Sequence, residues 1–332
     1  MHITFFLNPF SGKAFYGFFS EERIKDILQK YLSRSHTFEI VSGVPPDLLQ
    51  QKIREIAFVS DVIVIVGGDG TIKTFADFFI PLYDELKAKG KNIPFLIPIG
   101  AGSLNVVAKN IVKNQTPGTA PRIVCDIVNN FSSWSNVDPL YIRKVRPLKI
   151  EEEGFSPHFG FMFANGLIFS AMEYYYSKGF GPEKALSLMV KSILSIIFGG
   201  ELSHILKRFI DCEVQIDDFT FPHKKVVSCI ISVFRKMVLF TTPFTHNYQK
   251  DKFFVAVFAD PHIKLALNFL WIALGKKVLE KSFNGVAQNV KMSFEGGYTL
   301  DGEVFKREKT TLKISLGPEL LFLTNEKQKG SQ

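Results

Sequence analysis

Several whole classes of protein are made improbable by what the sequence does not contain. It has only three cysteines, Cys125, Cys212 and Cys229, and no Cys-x-x-Cys pair, so no disulfide framework is expected and a reducing compartment is. The seven histidines are scattered without a His-Glu-x-x-His run, which argues against a zinc enzyme. There is no Gly-x-Ser-x-Gly, so a serine hydrolase is unsupported. Ser11-Gly12-Lys13 lacks the upstream glycine and the following Ser or Thr of a Walker A loop. No basic run interleaved with aromatics occurs, and no nucleic-acid partner is expected. No segment reaches the about 18 apolar residues that suggest a bilayer span. The best candidate, 185–198, is interrupted by Lys191, and 265–274 is shorter still. The apolar start at 2–7 gives way at once to Asn8-Pro9 and has no basic flank, unlike a secretory leader. A soluble cytoplasmic protein is expected, with peripheral membrane contact left open.

Other features are abundant. A chain of 332 residues suggests two domains, and its 46% hydrophobic residues suffice for a large core. The 34 phenylalanines leave material for an apolar pocket besides. The net charge of +8 suits an anionic ligand or an anionic membrane surface.

The central stretch is Asp61-Val-Ile-Val-Ile-Val-Gly-Gly-Asp-Gly-Thr71. Five consecutive β-branched residues read as a strand covered on both faces. Gly67, Gly68 and Gly70 then allow close backbone approach, and Thr71 is read as the N-cap of a helix over 72–89. A strand, a glycine turn and a helix start aim backbone N–H groups at one point, an arrangement that favours phosphate. Strands at 3–7, 37–41, 61–66 and 93–99 alternate with helices at 20–33, 45–58, 72–89 and 105–112. This pattern predicts an α/β domain with a doubly wound parallel sheet. Three polar turns, 8–13, 67–71 and 100–105, should meet at its carboxyl edge. From about residue 133 short strands follow one another, at 137–150, 159–165, 212–216, 226–234, 253–257, 290–294 and 310–314, with helical patterns at 183–198 and 263–280. That half is expected to be an antiparallel β-sandwich-like domain. The boundaries are set at 1–132 and 133–332, with the last strand able to return to the first domain.

Asn8-Pro-Phe-Ser-Gly12, Gly67-Gly-Asp-Gly-Thr71, Gly102-Ser-Leu-Asn105, Phe163-Ala-Asn-Gly-Leu-Ile-Phe-Ser-Ala171 and Leu300-Asp-Gly-Glu303, followed by Gly317-Pro-Glu-Leu-Leu-Phe-Leu323, occur in one order along nearly the whole chain. Together they resemble the diacylglycerol kinase catalytic-domain family, which includes sphingosine, ceramide and bacterial lipid kinases. The resemblance implies transfer of the γ-phosphate of ATP to a lipid hydroxyl, with Mg²⁺ at an interdomain cleft. It implies nucleotide contacts from Asn8, Gly67, Gly68, Gly70, Thr71, Ser103 and Asn105. It makes Asp69 and Glu303 the catalytic carboxylates, leaving open which takes the proton, and Asp69 and Asp301 the metal ligands. The implied partner is a lipid substrate at a membrane surface; the oligomeric state is open, a dimer included.

Lys73 and Thr74 stand where the family commonly has Asn-Glu, and Gly100-Ala101 is additional. Alternatives are an NAD kinase-like enzyme, against which Asn105-Val106 and Asp301-Gly-Glu303 speak, and a non-catalytic lipid- or nucleotide-binding relative. Lys13 and Lys73 are candidate phosphate counter-ions. Residues 180–198 and 265–279 are candidates to line a lipid-tail pocket. Lys207, Arg208, Lys276 and Lys277 are candidates to meet anionic headgroups. Asp211, Asp217 and Asp218 read as a solvated turn in preference to a structural cation site.

Overall fold

Alternating apolar runs and amphipathic helices at the start of the chain give the parallel sheet that the pattern demands. The computed structural model describes residues 1–12, 19–177, 179, 191–192, 194–196, 199–200, 208–238 and 241–328. Lys13, Lys207 and most of the stretch 180–198 lie outside them. The chain forms two compact units, Met1–Val145 with Pro318–Gln332, and Arg146–Gly317.

In the first unit, β1 (His2–Leu7), β2 (Thr37–Ser42), β3 (Val62–Gly67) and β4 (Phe95–Gly100) are parallel, in the order β2-β1-β3-β4. The central β3 is buried along its whole length, as a β-branched run covered on both faces requires. Helices α1 (Glu21–Tyr31), α2 (Leu49–Val59), α3 (Asp69–Phe79), α4 (Tyr83–Ala88), α5 (Val106–Ile111) and α6 (Ala120–Asn129) connect or follow the strands. Ser20 caps α1 by accepting the Arg23 N–H, and Glu21 and Glu22 complement the helix dipole. The single helix expected over 72–89 is instead α3, a 3₁₀ turn at Ile80–Leu82 and α4, because Pro81 cannot continue the ladder. Past β4 the sheet is completed by the last strand of the chain, Leu320–Leu323, parallel to β4, and then by β5 (Ile142–Val145), antiparallel to that last strand. Thr324 and Asn325 hold the end of this strand to the backbone of Ile111 and Lys113.

The second unit is an antiparallel sandwich. Its strands are β6 (Leu148–Glu152), β7 (His158–Gly160), β8 (Met162–Asn165), β9 (Ile210–Ile216), β10 (Phe219–Thr220), β11 (Lys225–Val226), β12 (Ser228–Ser232), β13 (Phe253–Phe258), β14 (Phe283–Ala287), β15 (Val290–Glu295), β16 (Tyr298–Leu300), β17 (Glu303–Phe305) and β18 (Lys309–Leu316). One sheet runs β10-β9-β15-β18-β6-β7, with β11 on β9; the other runs β14-β13-β12-β8-β16-β17. Inward residues of both sheets, among them Ile150, Phe163, Val214, Val255, Phe294 and Ile314, make one core. Cys212 and Cys229 belong to it, and burial lifts the Cys212 thiol to about 12. Its helices include α7 (Leu167–Ser177), α8 (His262–Leu267) and α9 (Phe269–Ala273).

The chain passes from one sheet to the other repeatedly. One such point is Phe161, between β7 and β8; the expected strand over 159–165 is therefore two strands. Another is Gly296-Gly297, between β15 and β16. A side chain at Gly297 would lie 2.1 Å from the Phe305 carbonyl oxygen and 2.8 Å from the Phe169 ring. Gly297→Ala should therefore lower stability by about 1–3 kcal/mol through overpacking, read as an earlier urea midpoint of the second unit's transition; an unchanged midpoint would contradict this packing.

Candidate active site

The carboxyl ends of β1, β3 and β4 carry the three turns singled out in the sequence, and the first unit brings them together. At the end of β3, Gly67 pairs with Gly100 at the end of β4, and the Ala101 N–H donates to the Gly67 carbonyl. Beyond that pair the two backbones touch. A Cβ built on Gly102 would lie 2.5 Å from the Gly68 Cα, and one on Gly68 would lie 3.3 Å from the Gly102 Cα. The approach requires glycine at 102, whereas a methyl group at 68 would be tight. Gly67 and Gly100 are glycines for a different reason. The Thr71 side chain occupies the space over Gly67, and the Asn105 side chain that over Gly100.

Helix α3 starts at Asp69, with Gly68 as its N-cap, three residues earlier than the sequence reading. Its ladder begins with the Ile72 N–H on the Gly68 carbonyl. The N–H groups of Asp69, Gly70 and Thr71 lie ahead of that first bond, at the positive end of the helix. Thr71 is thus inside the helix rather than capping it. Its hydroxyl accepts from the Asn8 side-chain amide at 2.9 Å. The Asn8 side-chain carbonyl in turn accepts the Phe10 N–H, and its backbone carbonyl accepts the Ser11 hydroxyl. Asn8 therefore fixes the first turn upon the second.

Asp69 joins the second turn to the third. Its two oxygens accept the Val106 and Val107 N–H groups, each at 2.9 Å. These are the first N–H groups of α5, whose own N-cap, Asn105, sits in left-handed backbone at φ 54° and makes no side-chain cap. The Asn105 amide instead closes a ring with Gly102, accepting its N–H at 2.8 Å and donating to its carbonyl at 2.7 Å. Asp69 is the cap that Asn105 cannot supply. Burial pushes its carboxyl above the ordinary value, opposed by the two backbone donors and the Lys109 charge. Ser103 is half-buried, and its hydroxyl has no partner among the described residues.

Lys73 is neither a solvated lysine nor a cation extended to the turn. It is buried, and its ammonium pairs with Asp77 at 2.9 Å. The signal was present in the sequence as the four-residue spacing of a lysine and an aspartate on one helix.

In the second unit, Asp301 and Gly302 form the two-residue turn between β16 and β17, with Leu300 opposite Glu303. Both have positive φ, 50° and 87°, the requirement of a type I′ hairpin. The turn is also anchored. The buried Asp301 carboxylate accepts the N–H of Phe161 at 2.8 Å and of Met162 at 3.0 Å, where the chain changes sheet. Gly160 makes room, since a Cβ there would be 2.7 Å from an Asp301 oxygen. Tyr176, from α7, donates to the Gly302 carbonyl and was not foreseen. Glu303 is half-buried at the start of β17. Asp217 clamps the N–H groups of Gln288 and Asn289, and Asp211 pairs with Lys225.

Among the described residues no three His, Cys, Asp or Glu side chains are grouped to hold a metal ion. Both Asp69 and Asp301 hold pairs of backbone N–H groups, so neither belongs to a ready-made cage. They fit only an ion that keeps most of its water and takes one or two protein oxygens beside phosphate, as Mg²⁺ does.

The first unit is thus a parallel sheet whose carboxyl edge gathers three turns, and the second an antiparallel sandwich. Residues 2–132, all within the first unit, match the family described as the diacylglycerol kinase catalytic domain. Two solved structures from Bacillus anthracis strain Sterne share the fold. One, described as a diacylglycerol kinase, has a TM-score of 0.65 at 15% identity, over 98% of this chain and 97% of that one. The other, provisionally so described, has a TM-score of 0.66 at 14% identity, over 98% and 96%. No curated protein matches the chain.

Asp69→Ala, which removes the cap on α5, should lower stability by about 0.5–2 kcal/mol, with Asp69→Asn costing less because one acceptor remains; thermal melts compare the two. Asp77→Asn leaves a buried ammonium without its carboxylate and should cost about 3–5 kcal/mol, whereas the double change Lys73→Met/Asp77→Leu should be milder. A double variant as unstable as the single one would show that the ion pair is not what sets the cost.

Proposed function

We propose that this protein is an ATP-dependent lipid kinase, transferring the γ-phosphate to a hydroxyl of a diacylglycerol or sphingoid-type lipid. The reading is carried by the Gly68–Gly102 contact, which sets two glycine backbones side by side below the N–H groups of Asp69, Gly70 and Thr71, inside the matched kinase domain. Backbone donors of this kind hold phosphate without a side chain to clash with it. Asn8 ties the first turn to the second, Asn105 closes the third on itself, and the Ser103 hydroxyl remains for the nucleotide. Mg²⁺, arriving with the phosphates, would neutralise charge there. Asp69 orients the second and third turns through its grip on α5 and lies on the turn that meets the phosphates. Glu303 is assigned the proton of the acceptor hydroxyl as its oxygen bonds to the γ-phosphorus and ADP leaves. Asp301 serves by holding the hairpin that carries Glu303.

The test supplies purified protein with radiolabelled ATP and either a total lipid extract in detergent micelles or NAD. Label is expected in a lipid. Glu303→Gln should lower the rate by about 100-fold or more while circular dichroism stays native, since a positioned proton acceptor contributes on that order; Asp69→Asn should lower the rate as well, through the misplaced turns. Label in NADP alone, or a Glu303→Gln variant as active as the wild type, would refute the assignment.

A further inference from the structure

The second unit presents an apolar face with no cover among the described residues. Ile263 is 51% exposed, Leu267 66%, Leu270 72%, Trp271 55%, Leu274 51% and Val278 43%. Their spacing of four, three, one, three and four places the first five on one stripe of a helix. Helices α8 and α9 act as one helix for this purpose, because the ladder continues through Asn268, which donates to Lys264 and accepts from Ile272. The opposite side, with His262, Ala266, Ile272 and Ala273, is buried. The stripe is therefore turned outward by packing and not by fraying.

The termination of α9 places charge beside it. Gly275, at φ +65°, donates to Ile272, and Lys276 donates back to Trp271, a glycine-terminated helix end. A Cβ at Gly275 would be 2.5 Å from the Thr242 carbonyl oxygen, so the chain is held close there. Lys276 and Lys277 emerge from it, exposed, with the Lys276 ammonium over the Trp271 ring at 5.7 Å. Arg208 and Phe209 are exposed beside the buried other side of α8, where Phe209 meets His262 edge-on. The facing acids are few: Glu280 is bound to Lys264, and Asp260 is buried and accepts from Lys281 and Ser282.

Leucines with one tryptophan, bordered by lysines, are the composition of a surface that enters the headgroup boundary of an anionic bilayer. An exposed apolar patch of this kind marks an interaction site. We propose that α8, α9 and Lys276-Lys277 form the membrane-docking face of this protein, with Leu267, Leu270, Trp271 and Leu274 entering the interface and the lysines meeting anionic headgroups. The role of this docking in bringing the protein to its acceptor rests on the lipid kinase reading; the docking itself does not.

The experiment therefore uses vesicles without acceptor lipid or nucleotide, made of phosphatidylcholine alone or mixed with phosphatidylglycerol. The protein has two tryptophans, and in a Trp134→Phe background Trp271 reports alone. Co-sedimentation with the anionic vesicles is expected, together with a blue-shifted emission that brominated acyl chains quench. Leu270→Asp and Leu274→Asp should abolish both, with melting temperatures unchanged because these side chains face solvent. Lys276→Gln and Lys277→Gln should each weaken binding to the anionic vesicles about fivefold, the factor for one juxtamembrane charge. Absence of vesicle binding by the folded wild type, or binding that Leu270→Asp leaves intact, overturns the proposal. So does a solution dimer that Leu270→Asp splits into monomers, since a second copy would then be the cover. Vesicle binding without phosphorylation of micellar lipid would instead remove the kinase reading and leave the docking face standing.

Discussion

The close contact of two glycine backbones, Gly68 and Gly102, sets the geometry of the carboxyl edge of the first unit's sheet. Gly68 and Gly102 each end a strand-to-helix connection, and their contact fixes the distance between those connections. Everything else there is adjusted to it. Thr71 lies over Gly67 and Asn105 over Gly100, so each strand's last residue is roofed by a side chain from its own turn. Asn8 then ties the first strand's turn to Thr71. Backbone, rather than flexible side chains, makes the central contacts of this edge.

Three aspartates of this chain hold backbone in place. Asp69, Asp217 and Asp301 each receive two consecutive backbone N–H groups, and each does so where the chain needs donors satisfied outside a ladder. For Asp69 the place is the start of a helix with a left-handed cap residue; for Asp301 it is the crossing from one sheet to another. A carboxylate suits both, since ionised acceptors make hydrogen bonds about twice as strong as neutral ones. A sequence motif can therefore hold its shape through the same residue that its chemistry invokes, and substitution of such a residue alters position and charge together.

The alternation of strands and helices in the first half and the run of short strands in the second were legible because each rests on period and turn residues. The glycine turns were legible as well, but not the division of labour within them, since nothing local says that Thr71 covers Gly67 while Gly68 touches Gly102. Thr71 reads as a cap by residue type; the cap is Gly68, chosen by the neighbouring turn. The breaks were missed where tertiary contact decides them: Phe161 interrupts a continuous apolar run because Asp301, far along the chain, takes its N–H. Helix α6 and helix α7 escaped notice, α6 even though Thr119 at its N-cap position and Pro121 in its first turn are start signals. Lys73 was misread for a simpler reason, because its partner lay one helical turn away on the same face.

The strand at Leu320–Leu323 lies between β4 and β5, so the parallel sheet is finished by residues that leave the ribosome after the entire sandwich has been made. During synthesis β4 is an open edge, and β5 has no neighbour in its sheet. The inserted unit, whose strands are contiguous between Arg146 and Gly317, can close before its host does. A chain stalled short of its final dozen residues would hold a complete sandwich beside an unfinished sheet, with an unpaired strand edge of the sort that chaperones shield.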